Sequence, residues 1–281
     1  MKERDRPTSQ IIDGFRLPGY FSEEVYRSGL RYQPEETDIV LVTVPKAGTH
    51  WILEIVRACF RVSRGVTPGW SFLEVHGLDG TLRADRPRII FTHLPFHLAP
   101  FSPSTKYIYV ARNPKDCCVS FYHHTKTYTD YCFQDGTFDD EYFELFIEGL
   151  TDFGSYFENL LSWYAKNDEH NVLFLTYESI HADMKGSVLK MAGFIDGELA
   201  KELAEDEAKM TDIIDSTSMT EMVKDWGVQF VRKGVVGDWR NYFSKEQSER
   251  LKKKLFKEMK GTSVLSLWDD LDWLLDRKEA A

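Results

Sequence analysis

The chain has little cysteine: Cys59, Cys117, Cys118 and Cys132 are all there is in 281 residues. Their spacing matches no disulfide framework, and adjacent Cys117 and Cys118 are poorly placed to pair together, so a reduced, cytoplasmic setting is the expectation. No apolar run approaches the ~18 residues of a membrane span. The start, Met1-Lys-Glu-Arg-Asp-Arg, is mixed in charge with no apolar run behind it, as expected of a chain without a secretory signal. Excess positive charge is also lacking. With 35 Lys and Arg against 45 Asp and Glu, the net charge is −10. That argues against a general nucleic-acid binder, which needs a basic face, but leaves room for a local basic pocket around a small anion. No internal repeat, low-complexity tract or linker divides the chain.

What is present describes an ordinary globular α/β domain. An apolar fraction of 42% beside 28% charged residues is enough to bury a sizeable core. Short apolar strands are expected at 39–42, 89–92, 106–111 and 172–177. Helices are expected at 52–60, 115–126, 138–165 (interrupted near 149–154), 184–192, 197–209 and 245–260, with a Trp/Leu-rich tail behind them. Residues 1–37, with breakers at Pro7, Gly14, Pro18, Gly19 and Pro34, read as irregular but packed through Phe15, Tyr20, Phe21 and Tyr26. Residues 63–87 read as loop around a short element near Phe72, and the chain after 209 reads as irregular through 232–239. Strands alternating with helices imply one domain over 1–281 with a central, mostly parallel sheet flanked by helices. Ligands in such folds lie beyond the carboxyl ends of the strands.

The densest signal is Val42-Thr-Val-Pro-Lys-Ala-Gly-Thr-His-Trp51, between the first buried strand and a helix. A strand–turn–helix of this kind points backbone N–H groups and a helix N-terminus at one spot, which suits an anion. Lys46 adds a mobile cation, Gly48 allows close backbone approach and Thr49 brings a hydroxyl. In the common phosphate loop the Lys follows the second Gly; here Lys46 precedes the only one. The turn is P-loop-like, with its lysine inverted. Other polar clusters follow strand ends: Thr92-His-Leu-Pro95, and Val110-Ala-Arg-Asn-Pro-Lys-Asp116 with Ser120. Arg232-Lys-Gly-Val-Val-Gly-Asp-Trp239 lies downstream.

Four motifs in this order, over residues 38–243, resemble the cytosolic sulfotransferases. These enzymes move a sulfuryl group from 3′-phosphoadenosine-5′-phosphosulfate (PAPS) to a hydroxyl or amine, leaving 3′-phosphoadenosine-5′-phosphate (PAP). The resemblance implies that Lys46, Ala47, Gly48, Thr49, His50 and Trp51 form the 5′-phosphate turn, with Lys46 stabilising charge on the leaving oxygen. It makes His93 the general base for the acceptor. It gives the 3′-phosphate to Arg112, Ser120, Arg232, Lys233 and Gly234, and the adenosine side to Trp51, Tyr177, Thr217, Ser218 and Met219. It calls for no metal. His76, His97, His170 and His181 have no such context and read as surface or packing residues.

The chain departs from the family at several places. Phe91 stands where a Lys is usual, His50 where a hydroxyl is usual and Met219 where an aromatic is usual. An aromatic acceptor pocket is expected around Phe15, Phe72, Phe91, Tyr122 and His124, with Phe96 and Trp70 as further candidates. Residues 128–135 could lid that pocket, with Asp130 or Asp135 meeting an amine. In the family's dimer stretch Lys245 replaces a Val, so a monomer or weak homodimer is expected. The partner is a small, phenolic or otherwise aromatic acceptor, with neither nucleic acid nor membrane. The rivals are a P-loop small-molecule kinase and a donor-binding relative with weak turnover. The first would want a metal-binding acid near the phosphates, and none directly follows the strands at 89–92 and 107–110.

Overall fold

The computed structural model describes residues 6–228 and 230–268. The chain opens with a hairpin, β1 (Ser9–Ile12) and β2 (Phe15–Pro18), paired antiparallel. The main sheet follows: β3 (Ile39–Thr43), β4 (Gly69–Phe72), β5 (Arg88–Thr92), β6 (Lys106–Ala111) and β7 (Val172–Thr176). Its order is β4-β5-β3-β6-β7, and every pairing is parallel. The first of these strands thus sits at the centre, and the chain steps out to either side of it.

β3, β5 and β6 are apolar nearly throughout because helices cover both faces of the sheet. Successive side chains feed opposite cores. Val40, Val42, Ile90, Tyr107 and Tyr109 join one cluster, while Ile39, Leu41, Ile89, Phe91, Ile108 and Val110 join the other. The helix Thr49–Arg64 seals the second face with Ile52, Leu53, Ile55, Val56 and Cys59, all buried. The helix Tyr156–Tyr164 packs Phe157, Leu160 and Trp163 into the first. Cys59, Cys117, Cys118 and Cys132 are free thiols.

The fold corrects several sequence expectations. Residues 1–37 are not irregular: within the described part they hold the hairpin and a helix, Glu23–Gly29, started by the Ser22 side chain accepting from Val25 N–H. The 63–87 loop contains edge strand β4 and a helix, Leu73–Arg83. β4 opens on Gly69 because a Cβ there would come within 2.4 Å of the Asp85 backbone nitrogen. The helix expected at 197–209 is two, Gly197–Glu205 and Glu207–Ser216, each capped by an aspartate. A further helix, Met219–Trp226, occupies residues expected to be irregular. The Trp/Leu-rich tail lies outside the described residues, apart from a short turn at Val264–Leu267. Among the described residues no helix is long and apolar enough to cross a membrane.

Candidate functional site

The turn after β3 has the backbone shape the sequence suggested. Lys46 adopts φ +72° and Gly48 φ +101°. Gly48 is required there: a Cβ would lie 2.8 Å from Cδ2 of Tyr177. As N-cap of the helix Thr49–Arg64 it supplies no side-chain acceptor, and the first turn carries no acid. The helix therefore starts with its N–H groups and positive dipole end uncompensated by side chains, a ready anion site. Ala47 is fully buried, its N–H given to Val44 O at 3.2 Å.

His93 follows β5, next to β3 in the sheet, and its ring is fixed by the central strand. Nδ1 lies 2.8 Å from Thr43 O and 3.2 Å from Thr43 Oγ1, which is itself 2.6 Å from Thr49 Oγ1. A carbonyl oxygen can only accept, so Nδ1 carries the proton and Nε2 keeps its lone pair. The backbone is pinned as firmly. His93 N donates to Glu74 Oε1 at 2.7 Å, and Asn159 Nδ2 donates to His93 O at 2.8 Å. Burial, aided by the Lys46 charge and opposed by the Thr43 carbonyl, holds the His93 pKa down at about 4. Its imidazole is neutral at pH 7.

Lys46 Nζ donates to Phe230 O at 3.1 Å. Burial and the nearby Arg112 and Arg232 bring its pKa down to about 7. Arg112 stacks 4.2 Å over the Tyr177 ring and donates to Lys46 O at 3.1 Å and Val235 O at 3.0 Å. Tyr177 OH in turn donates to Gly234 O at 2.9 Å. Arg232 and Lys233 both reach Asp238, at 2.5 and 2.8 Å. Burial works against ionising Asp238, yet bonds from Lys233, Arg232 and Asn241 outweigh it and hold its pKa near about 2. The Nε atoms of both Arg112 and Arg232 are buried without a hydrogen-bond partner. Asp116 brings the two arginine segments together: its carboxylate accepts from Gly237 N at 2.6 Å and Trp239 N at 3.0 Å.

These segments come together around one cavity of about 740 Å³. Lys46, Gly48, Thr49, Trp51, Arg112, Ser120, Tyr177, Thr217, Ser218, Met219, Arg232, Lys233 and Gly234 are on its wall, as are His50, Phe72, Phe91, His93, His124 and Trp70. Trp51 Nε1 donates to Thr217 O at 3.0 Å, closing the polar end. The structure does not bring Phe15, Tyr122 or Phe96 to the wall. Phe15 stacks behind it on Tyr26, Tyr122 bonds Gly136 O from within the core, and Phe96 packs on Phe101 and Trp163. Phe91 is 2% exposed, stacked on Phe72 at 4.6 Å and Trp70 at 5.7 Å.

Several lining residues went unnoticed in the sequence: Phe121, Phe153, Trp226 and Phe230. Phe153, at φ +61°, sits edge-on to His93 with ring centroids 4.9 Å apart. Tyr20, Phe21, Tyr128 and Tyr131 close the aromatic end, whereas Asp130 and Asp135 are not on the wall. His76 and His181, read as surface or packing residues, do line the cavity. Glu74 and Asn159, which hold the His93 backbone, were also missed; nothing local in the sequence marks them. Among the described residues no Asp or Glu lines the cavity, and no His, Cys, Asp and Glu come together as a metal-ligand cluster.

A parallel sheet whose central strand ends in a lysine-bearing turn, flanked by a fixed histidine and a basic cluster, is an α/β architecture with a site suited to a phosphorylated ligand. Residues 36–263 match the family model described as Sulfotransferase domain. The chain belongs to that family and is a sulfotransferase. It is 32% identical over 260 residues to Sulfotransferase 1C2 of Homo sapiens, covering 83% of this chain and 86% of that one. It is 34% identical over 262 residues to Sulfotransferase 1B1 of Mus musculus, with coverage of 83% and 86%. Among solved structures, mouse sulfotransferase SULT7A1 complexed with PAP superposes with a TM-score of 0.79 at 29% identity, covering 92% of this chain and 97% of that one.

Proposed function

We propose that the protein transfers the sulfuryl group of PAPS to the hydroxyl of a small aromatic acceptor. The observation that carries this reading is the pairing, in one cavity, of a basic anion site with a neutral histidine whose free nitrogen is Nε2. The donor supplies an activated sulfuryl group on a phosphosulfate anhydride.

The residues fit such a donor. The uncapped helix start and the Gly48 cradle suit its 5′-phosphate, with Thr49 and Lys46 beside them. The unpartnered buried Nε atoms of Arg112 and Arg232, with Ser120, suit the 3′-phosphate, since guanidinium N–H groups match phosphate oxygens in geometry and charge. Trp51, Tyr177, Thr217, Ser218 and Met219 would hold the adenosine half.

His93 Nε2 takes the proton from the acceptor hydroxyl as its oxygen becomes nucleophilic, and the Thr43 carbonyl steadies the ring as it gains charge. Lys46 Nζ exchanges the Phe230 carbonyl for the developing charge on the departing oxygen. Aromatic walls of Phe72, Phe153, Tyr128, Tyr131, Trp226 and Phe230 exclude water and suit an aromatic body. A hydroxyl is favoured over an amine because, among the described residues, no carboxylate lines the cavity to hold an ammonium.

The test is a sulfonation assay with labelled PAPS over phenols, naphthols and simple alcohols, beside thermal unfolding with PAP. An aromatic alcohol should become sulfonated and PAP should raise the melting temperature, since a ligand that binds only the native state stabilises it. Absence of the PAP shift sinks the donor assignment; a shift without turnover of any aromatic alcohol sinks the acceptor assignment.

A further inference from the structure

We propose that His50 reads the acceptor: its imidazole hydrogen-bonds a second oxygen, hydroxyl or carbonyl, on an aromatic alcohol whose reacting hydroxyl lies at His93. This rests on the sulfotransferase reading above and narrows its acceptor to aromatic compounds with two oxygen functions.

The backbone of His50 belongs to the anion turn, but its ring leaves the turn. It lies against Trp226 at 4.1 Å, Phe230 at 5.0 Å and Phe91 at 5.8 Å between centroids, on the aromatic side of the cavity. Phe91 neighbours two imidazoles, its centroid 6.2 Å from His93 and 5.8 Å from His50. Both imidazoles lie on the wall of the same cavity.

His50 makes ring contacts but no hydrogen bond among the described residues. Its neighbour Trp226 likewise has a buried indole N–H without a partner. His50, half-buried on the cavity wall, has its ring nitrogens free to meet a ligand that brings its own polar atom. A neutral imidazole offers one donor and one acceptor, which matches a hydroxyl or a carbonyl. Burial, with Lys46, His93 and His124 nearby, keeps His50 uncharged, its pKa pulled down to about 3. The anionic donor has Lys46, Arg112 and Arg232 at hand on the same wall.

The experiment compares 2-naphthol with the dihydroxynaphthalene isomers in wild type, His50→Phe and His50→Gln, with PAP binding measured calorimetrically in each. At least one diol should exceed 2-naphthol in kcat/KM. That preference should fall roughly fivefold to tenfold in His50→Phe, the loss of one neutral hydrogen bond, and recover in part in His50→Gln. Absence of any diol preference in the wild type, or an equal preference in His50→Phe, overturns the assignment. So does a greater than tenfold loss of PAP affinity in both variants, which would place His50 on the donor. If the wild type binds PAP but sulfonates neither compound class, the aromatic-acceptor reading fails and this one with it. Turnover of 2-naphthol with no diol preference overturns the His50 assignment alone.

Discussion

The carbonyl oxygen of Thr43 lies 2.8 Å from Nδ1 of His93, so the end of the central strand selects which nitrogen of its neighbour's histidine is free. Replacing His93 removes the base while leaving the anion turn in place. His93→Ala should lower kcat by roughly 10²–10⁴, the usual worth of a positioned general base. PAP affinity should move by less than about threefold in the same variant. Full turnover in His93→Ala on the best acceptor would sink the base assignment.

The acid and base groups also set a pH profile. His93 works neutral and has a pKa of about 4, so kcat/KM should be lost as pH falls through that value. Lys46 works charged and has a pKa of about 7, so kcat/KM should be lost as pH rises through about 7. A bound polyanion favours the charged form of each group, so both limbs of kcat at saturating donor should lie at higher pH than those of kcat/KM. In Lys46→Arg the alkaline limb should vanish, because a guanidinium stays charged. An alkaline limb unmoved in that variant would assign it to another group.

Arg112 and Arg232 line the polar end of the cavity, and each has a buried Nε without a hydrogen-bond partner. Arg112→Ala and Arg232→Ala should each weaken PAP about 10- to 100-fold, from the ~1.5–3 kcal/mol of a charged hydrogen bond. Adenosine-5′-phosphate, which lacks the 3′-phosphate, should bind the wild type and the two variants alike. Calorimetric titration at fixed ionic strength measures both. Equal losses for the two nucleotides would place these arginines elsewhere on the donor.

Gly48 faces the ring of Tyr177, the same ring on which Arg112 stacks at 4.2 Å. Gly48→Ala should destabilise the fold by roughly 1–3 kcal/mol, through both the φ of +101° and the collision. It should also weaken PAP by displacing Tyr177 from Arg112 and Gly234. Adding Tyr177→Ala removes the collision and leaves the dihedral strain, so the double variant should lose less stability than the two single losses combined. Strict additivity in urea unfolding would mean that the contact is not made.

The sequence revealed those parts of the fold and site that depend on neighbours along the chain. The strand–turn–helix around Lys46 and Gly48 is local, and so is the run of apolar residues in β3, β5 and β6. Asp13-Gly14 was a legible hairpin signal that went unread between two breaker-rich stretches; its φ values of +52° and +84° suit a tight two-residue turn. β4 was hidden for a different reason: Gly69-Trp-Ser-Phe72 alternates over only four residues and opens on a glycine, and it pairs along one edge with β5. The acceptor wall was least legible. Phe15 and Tyr122 are aromatics at plausible places, but their rings pack into the core, whereas Phe153 and Phe230 reach the cavity from segments with no motif. Which way an aromatic side chain turns is decided by tertiary packing.

Glu74 shows how a residue without a motif can govern one that has a motif. Its Oε1 accepts from Thr92 Oγ1 at 3.0 Å and from His93 N at 2.7 Å, while Oε2 is buried without a partner. Burial outweighs those bonds and pushes its pKa from 4.5 up to about 7. The folded state therefore binds its proton more tightly than the unfolded state does. The stability this contributes is complete below pH 4.5 and is lost as pH rises through about 7. Glu74→Gln keeps an oxygen for both donors and has no charge to bury. It should match the wild type in urea unfolding at pH 4.5 and exceed it at pH 8.5 by on the order of 1–3 kcal/mol. Glu74→Ala strands the Thr92 hydroxyl and the His93 N–H, and should cost about 2–4 kcal/mol at either pH while lowering kcat. A Gln variant with the same advantage at both pH values would show that Glu74 is not the group that titrates.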